Sequence, residues 1–267
     1  MIREPAVAGK FYPDDRGELL SMLENFCKKE EEKYSAFGVV SPHAGYIFSG
    51  KVAGEVFSSV KLPEKFVILC PNHTGFGSPL SIMSKGAWRT PLGLAKIDEE
   101  LSNLLKSDMN ELQEDPLAHR FEHSLEVQLP FIQFFKGDNF SFVPICVGTS
   151  NYDLLVKLGE SMGNLLKKGE DFLIVASSDM THYEDSESAK RKDFLAIEKM
   201  ENLDVEGFYR TIREYSISMC GFAPVTAAMV ASKIAGAKRG KLIKYTNSGD
   251  VIGDYSSVVA YAGIVFI

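Results

Sequence analysis

Short apolar runs rich in β-branched residues recur along the chain and predict its strands. They cover residues 37–41, 66–70, 140–147, 171–178, 241–246 and 258–267. Because these runs are continuously apolar rather than alternating, we expect strands buried on both faces, as in a mainly parallel sheet. Pro144 interrupts the third run, so that strand is expected to be an edge strand or to carry a bulge.

Segments with helical periodicity lie between the predicted strands. They cover residues 16–28, 122–135, 152–167, 186–200 and 222–235. Pro130 must kink the second of these helices or begin its second part. Ser49 is expected to cap a further helix over 50–59, and the charged run 28–33 is expected to be an exposed helix end or loop. This alternation predicts a single-domain α/β/α sandwich over residues 1–267, around a mainly parallel or mixed sheet.

Composition and charge narrow the class of protein. The 267 residues are 45% hydrophobic and 24% charged, which is typical of a globular chain. A net charge of −7 argues against nucleic-acid binding, because phosphates require a basic surface. The sequence has neither a secretory signal nor an apolar stretch of about 20 residues, so we expect a cytoplasmic protein without membrane contact. Cys70 and Cys146 lie inside apolar runs and are predicted to be buried thiols.

Histidines follow three of the predicted strands. His43 and His73 come directly after strands, and a third strand is followed by Asp179 and His182. In open α/β sheets, ligands and catalytic groups gather at this carboxyl edge. A single such histidine is more often a loop residue hydrogen-bonded to nearby backbone. Because three of the five histidines recur in this position, we favour a shared polar site.

Two further segments carry candidate site residues. His123 and Glu126 are three residues apart on a predicted helix, so Glu126 is expected to orient His123; the alternative is an acid-rich first turn, which the helix dipole favours. Cys220 immediately precedes a predicted helix, whose positive end favours a thiolate. The alternative for Cys220 is a small, buried packing residue.

A glycine-rich segment, Gly45 to Lys51, resembles a phosphate-binding loop. Val52 replaces the Ser or Thr that holds magnesium in such loops, and the intervening residues are bulky. We therefore expect no nucleotide cofactor.

Long ordered blocks of the chain resemble the Memo family. They read REPAVAGKFYP, SPHAGYIFSG, PNHTG, EHSLEVQLPF, SSDMTHY, MCGFAPV and SVVAYAG. The family is similar in fold to the class III extradiol (LigB-type) dioxygenases, which are non-haem iron enzymes with an α/β core. The resemblance therefore implies an extradiol-dioxygenase-like sandwich.

The resemblance also implies roles for individual residues. His43, His73 and Cys220 match the metal-binding positions of the family, with iron or copper favoured over zinc. His182 and Asp179 match pocket residues and His123 lies in another family block; we predict these three as catalytic groups. Cysteine stands where the dioxygenases carry a carboxylate, and iron(II) oxygenases typically use two histidines and a carboxylate.

Three functions remain open from the sequence. The first is a metal-dependent redox enzyme, either dioxygenase-like or an oxidase, with an unidentified substrate. The second is a non-catalytic adaptor that uses the inherited pocket to bind a peptide or a small acidic ligand, since Cys220 stands where the related enzymes carry a carboxylate. The resemblance includes an animal relative known to bind receptor phosphotyrosine peptides. The third is a metal-dependent hydrolase. The resemblance further implies a functional link to a radical-SAM protein.

Overall fold

A computed structural model describes residues 1–28 and 32–267. Residues 29–31, inside the charged run predicted as a helix end or loop, lie outside the described residues. The helices are α1 Arg16–Phe26, α2 Tyr46–Ser59, α3 Glu99–Asp108, α4 Leu129–Lys136, α5 Tyr152–Lys167, α6 Ser186–Glu201, α7 Val205–Glu214, α8 Phe222–Ala235 and α9 Gly249–Ile252. The strands are β1 Ile2–Arg3, β2 Gly38–Ser41, β3 Lys65–Pro71, β4 Leu80–Ile82, β5 Ala87–Thr90, β6 Gly93–Ile97, β7 Gln113–Glu114, β8 Ser141–Val147, β9 Leu173–Ser177, β10 His182–Glu184, β11 Gly240–Asn247 and β12 Val258–Phe266.

The described strands form one mixed sheet. Its main path runs β1-β5-β6-β8-β3-β9-β2-β12-β10, and β11 pairs with β12. The four central strands β8, β3, β9 and β2 are parallel to one another, whereas β12 is antiparallel to β2. The predicted α/β class with a mixed sheet is therefore confirmed.

Both faces of the sheet are buried, which explains the continuous apolar runs. Val67 and Leu69 of β3 belong to the core that contains α5 and α8. Their neighbours Ile68 and Cys70 belong to the opposite core, with α1, α2 and α4. Cys70 pairs in register with a second fully buried thiol, Cys146 of β8, so the prediction of buried cysteines is confirmed. No helix among the described residues is long and apolar enough to cross a membrane.

The two proline predictions had different outcomes. Pro130 lies in the first turn of α4 and begins that helix after a short 3-10 turn, which is one of the two predicted possibilities. The prediction of an edge strand or bulge at Pro144 is wrong. Strand β8 is internal and pairs with β3 over its whole length without a register shift. On its other side the pairing passes from β6, at 141–142, to β4, at 145–147, so Pro144 falls between these two partners.

Two helix starts also differ from the prediction. Helix α2 begins at Tyr46 rather than at residue 50, so the predicted capping role of Ser49 is wrong. The Ser49 hydroxyl lies inside the helix and donates to the carbonyl of Ala44. The predicted helix over 122–135 is helical only from Glu126. Before it, the carboxylate of Glu122 accepts from the hydroxyl of Ser124 and from the backbone N–H of His73, in the loop after β3.

Candidate metal centre

Neighbouring parallel strands deliver the candidate residues to one edge of the sheet. Strands β3, β9 and β2 lie side by side, so their carboxyl ends meet there. A cavity of about 790 Å³ opens at this edge. Its polar lining side chains include His43, His73, His123, Asp179, His182 and Cys220, and its apolar ones include Phe11, Phe48, Tyr183, Ile252, Val259 and Tyr261.

Three histidines form the tightest cluster in this cavity. One nitrogen from each of His43, His73 and His123 lies within 4.8 Å of the others. The ring of His43 stands nearly perpendicular to the other two, with centroid distances of 5.2 Å to His73 and 5.5 Å to His123. The rings of His73 and His123 are 4.7 Å apart. These distances suit convergence on one small cation.

The Nδ1 atom of His43 is held by a serine at the end of β9. The Ser177 hydroxyl donates to the carbonyl of Ser124, at 2.6 Å, and accepts from Nε2 of Gln128, at 2.9 Å. Its proton is therefore already used, so at the 2.9 Å contact Nδ1 of His43 must be the donor. This hydrogen bond leaves a lone pair on Nε2 of His43.

His73 is held by a buried carboxylate. Its Nδ1 lies 2.9 Å from Oε1 of Glu122, and its backbone N–H donates to Oε2 at 2.6 Å. Because an ionised carboxylate only accepts, Nδ1 of His73 is protonated and Nε2 carries the lone pair. Burial alone would raise the pKa of Glu122, but hydrogen bonds and charge from His73 and hydrogen bonds from Ser124 lower this pKa to about 2.

His182 repeats the pattern with a backbone acceptor. Its Nδ1 lies 3.0 Å from the carbonyl oxygen of Ser218, which fixes the proton on Nδ1. The hydroxyl of Ser218 also accepts from the backbone N–H of His182, at 2.8 Å. Cys220 follows two residues later, and its Sγ lies 3.2 Å from Nε2 of His43.

Comparison with known proteins identifies the family. The model of the Memo family, described as Memo-like protein, matches residues 3–265. A MEMO1 family protein from Aquifex aeolicus is 46% identical over all of this chain and 99% of its own length. A MEMO1 family protein from Methanopyrus kandleri is 44% identical with the same coverage. The chain belongs to the Memo family.

The fold of this Memo family chain is also found in a distant solved structure. An uncharacterized protein from Escherichia coli K12 superposes with a TM-score of 0.59, covering 86% of this chain and 99% of its own. At 12% sequence identity, this likeness concerns the fold alone.

Burial sets the protonation of the Memo site. It lowers the pKa of His43 well below its usual value, and repulsion from His73 and His123 lowers it further. Burial likewise lowers the pKa of His123. These two lowered pKa values favour neutral rings for His43 and His123 at physiological pH, which is the form that binds metals.

Asp179 and Cys220 respond to burial in the opposite direction. Burial raises the pKa of Asp179 to about 6, although the backbone N–H of His43 donates to its carboxylate at 2.7 Å. Burial, followed by the charge of Asp179, raises the pKa of the Cys220 thiol. Burial and the nearby carboxyl group therefore favour the neutral thiol at Cys220 over the thiolate.

The predicted role of Glu126 is wrong. Its buried carboxylate accepts from the N-terminal segment instead, through Arg3, the backbone N–H of Ala6 and the hydroxyl of Tyr12. His119 also lies outside the cavity lining, fully buried with its ring 5.8 Å from that of Trp88.

Three residues that hold the histidine rings were missed at the sequence level. They are Glu122, Ser177 and Ser218, which bind Nδ1 of His73, His43 and His182. Ser177 could have been found as a polar residue ending an apolar strand that neighbours β2. Glu122 and Ser218 had no local signal, because their partners lie 49 and 36 residues away.

Proposed function

We propose that this Memo family chain is a metal-dependent redox enzyme that holds iron or copper between His43 and His73. The observation that carries the proposal is the convergence of three imidazoles, from His43, His73 and His123, within 4.8 Å. Imidazole suits iron and copper as a ligand. Such a metal, when bound, supplies a redox couple and an electrophilic centre.

The residues fit a transition metal without large rearrangement. Ligand nitrogens at about 2.1 Å from a tetrahedral metal are roughly 3.4 Å apart. From a spacing of at most 4.8 Å, each ring needs to shift by less than about 1 Å. His43 and His73 each keep a lone pair on Nε2, because Nδ1 donates to Ser177 or Glu122.

The third ligand is either His123 or Cys220. His123 completes the cluster of nitrogens, whereas Cys220 contacts His43 directly at 3.2 Å. A bound cation would favour the thiolate of Cys220, which burial otherwise opposes. A thiolate would select copper(I), zinc or iron over calcium and magnesium.

His182 and Asp179 are assigned separate roles beside the metal. The free lone pair on Nε2 lets His182 accept a proton inside the cavity and return it. Asp179 holds the loop after β2 through the backbone N–H groups of His43 and Ala44. Its carboxylate also lies 3.9 Å from Nε2 of His43, where it would balance the charge of a cation.

The cavity lining argues against a role in binding small acidic ligands. Among the described residues that line it, none is lysine or arginine, and Asp179 contributes a carboxyl group. An anionic group would therefore lack a cationic partner unless a metal supplied one. This observation favours metal chemistry over an adaptor that binds an acidic ligand.

Reconstitution of the protein, purified without an affinity tag, tests the proposal. Iron(II) or copper is added, and metal stoichiometry and oxygen consumption with a chemical reductant are measured. We expect about one metal per chain, no binding in His43→Ala or His73→Ala, and retained binding but slower oxygen consumption in His182→Ala. The cobalt(II) forms of the wild type and of Cys220→Ser then identify the third ligand. A sulfur charge-transfer band that is present in the wild type and absent from Cys220→Ser would show that the thiolate is bound.

Two results would contradict the redox function. Weak, sub-stoichiometric metal binding that is unchanged in His43→Ala would show that the proposed metal site does not exist. Substrate turnover that continues under strict exclusion of oxygen and other oxidants would instead favour a metal-dependent hydrolase.

A further inference from the structure

We propose that Glu122 is the positioning residue of the metal centre, with its two carboxylate oxygens fixing His73 and with Oε1 also stabilising His123. The inference rests on the proposed function, because it assigns the group that prepares two of its histidines for a metal. Glu122 itself does not line the cavity. It acts through the histidine rings that it contacts.

The first step is the pair of contacts between Glu122 and His73. The carboxylate binds this residue twice, through the ring Nδ1 at 2.9 Å and through the backbone N–H at 2.6 Å. The two bonds fix both the ring orientation and the backbone that carries it. A carboxylate on Nδ1 also makes the opposite nitrogen a stronger ligand.

The second step concerns the charge of Glu122. Its side chain is fully buried, and Oε1 also accepts from the backbone N–H and the hydroxyl of Ser124, at 3.0 and 2.6 Å. The two backbone N–H groups can only donate, and the His73 ring and the Ser124 hydroxyl can donate as well, so all four contacts can be made to an ionised carboxylate. These contacts favour a buried anion beside the histidine cluster.

The third step extends the role to His123. The same oxygen, Oε1, lies 3.5 Å from Nδ1 of His123. The His123 ring also packs on Phe11, with ring centroids 4.8 Å apart. If His123 binds a cation, the negative charge on Oε1 would stabilise the ring that holds it.

Asp193 provides a matched control within the chain. It is also a fully buried carboxylate with three donors, two from Thr181 and one from Tyr245. It contacts none of the three clustered rings. An Asp193→Asn variant therefore tests how the loss of any buried carboxylate affects metal binding. Glu122→Gln tests the loss of the carboxylate that contacts His73.

The experiment combines zinc affinity with the tautomer of the His73 ring. Zinc(II) serves as a probe without redox chemistry, and competition with a chelator gives its affinity. We expect Glu122→Gln to weaken zinc binding about 10–100-fold and Asp193→Asn to change it less than about threefold. In the metal-free wild type, ring ¹⁵N NMR should find the His73 proton on Nδ1, and this signal should change in Glu122→Gln.

The tautomer decides the inference even where a variant fails to fold, since it is measured in the wild type. A His73 proton on Nε2 would overturn it, as would wild-type zinc affinity in a folded Glu122→Gln. If the wild type binds none of zinc, iron and copper, the proposed function fails. This outcome is distinct from a metal-binding wild type whose affinity does not depend on Glu122.

Discussion

Three histidines of the candidate site share one feature, a hydrogen bond from the Nδ1 atom of the ring. Three rings donate from Nδ1, but their acceptors differ: a carboxylate for His73, a hydroxyl for His43 and a carbonyl for His182. Each bond selects the tautomer with a lone pair on Nε2. The site is thus prepared for a cation before any cation binds.

Tyr183 is a second residue-level feature, because it combines strain with exposure at the mouth of the cavity. Its φ is 60°, a conformation that costs side chains other than glycine about 1 kcal/mol. The pairing of β10 with β12 shifts register here, which lets both His182 and Tyr183 line the cavity. Strain of this kind clusters at functional sites.

We expect Tyr183→Gly to stabilise the protein by about 0.5–1 kcal/mol, because glycine adopts this conformation without a Cβ clash and little packing is lost from a side chain that is 79% exposed. Chemical denaturation measures the effect. Tyr183→Ala is the control and should show no such gain, since alanine keeps the Cβ. Equal stabilisation by both substitutions would exclude backbone strain as the cause.

At the level of elements, α5 packs closely on α8, the helix that follows Cys220, and both helices cover the same face of the sheet. Gly159 and Gly163 lie on α5 where the two helices approach. A Cβ on Gly159 would lie 2.5 Å from Cβ of Val230 and 2.6 Å from the carbonyl oxygen of Ala227. The helices can approach this closely only because these positions lack a side chain.

We therefore expect Gly159→Ala to lower the free energy of unfolding by up to about 2 kcal/mol. Alanine gains up to about 1 kcal/mol of helix propensity, but overpacking against backbone costs about 1–3 kcal/mol. Thermal denaturation measures the difference. Asn164→Ala, at an exposed position of the same helix, should stay within about 0.5 kcal/mol of the wild type or above it. A stabilised Gly159→Ala would contradict the close approach.

At the level of the whole molecule, buried carboxyl groups connect distant parts of the chain. Asp193 of α6 accepts from Thr181, before β10, and from the hydroxyl of Tyr245 in β11. Burial outweighs these hydrogen bonds and raises the pKa of Asp193 to about 6. The folded state therefore binds this proton more tightly than the unfolded chain does.

This linkage gives stability a defined dependence on pH. The contribution of Asp193 is fully present below about pH 4 and is lost as pH rises through about 6. Relative to Asp193→Asn, the wild type should lose about 2–3 kcal/mol between these limits. Denaturant unfolding of both proteins at several pH values isolates this residue from other groups. A difference in stability that stays constant with pH would contradict the raised pKa.

The sequence by itself determined the fold class and the ends of the strands that carry the histidines. Strands buried on both faces of a sheet have continuous apolar runs. The strand at 66–70 and the strands beside it in the sheet could therefore be predicted from the sequence. The same logic placed His43 and His73 just beyond strands. Helices such as 152–167 and 222–235 were equally evident from their periodicity.

The tertiary structure alone decided which polar groups meet. Glu126 and His123 are close in sequence, yet the carboxylate of Glu126 binds the N-terminal segment, and Glu122 supports the ring of His73, 49 residues away. Which side chains form hydrogen bonds depends on where the parallel strands place the loops that follow them. The periodicity of apolar residues does not encode the distances between these loops. A hydrophobic pattern records which face is buried, whereas partner choice is settled only when the loops pack together.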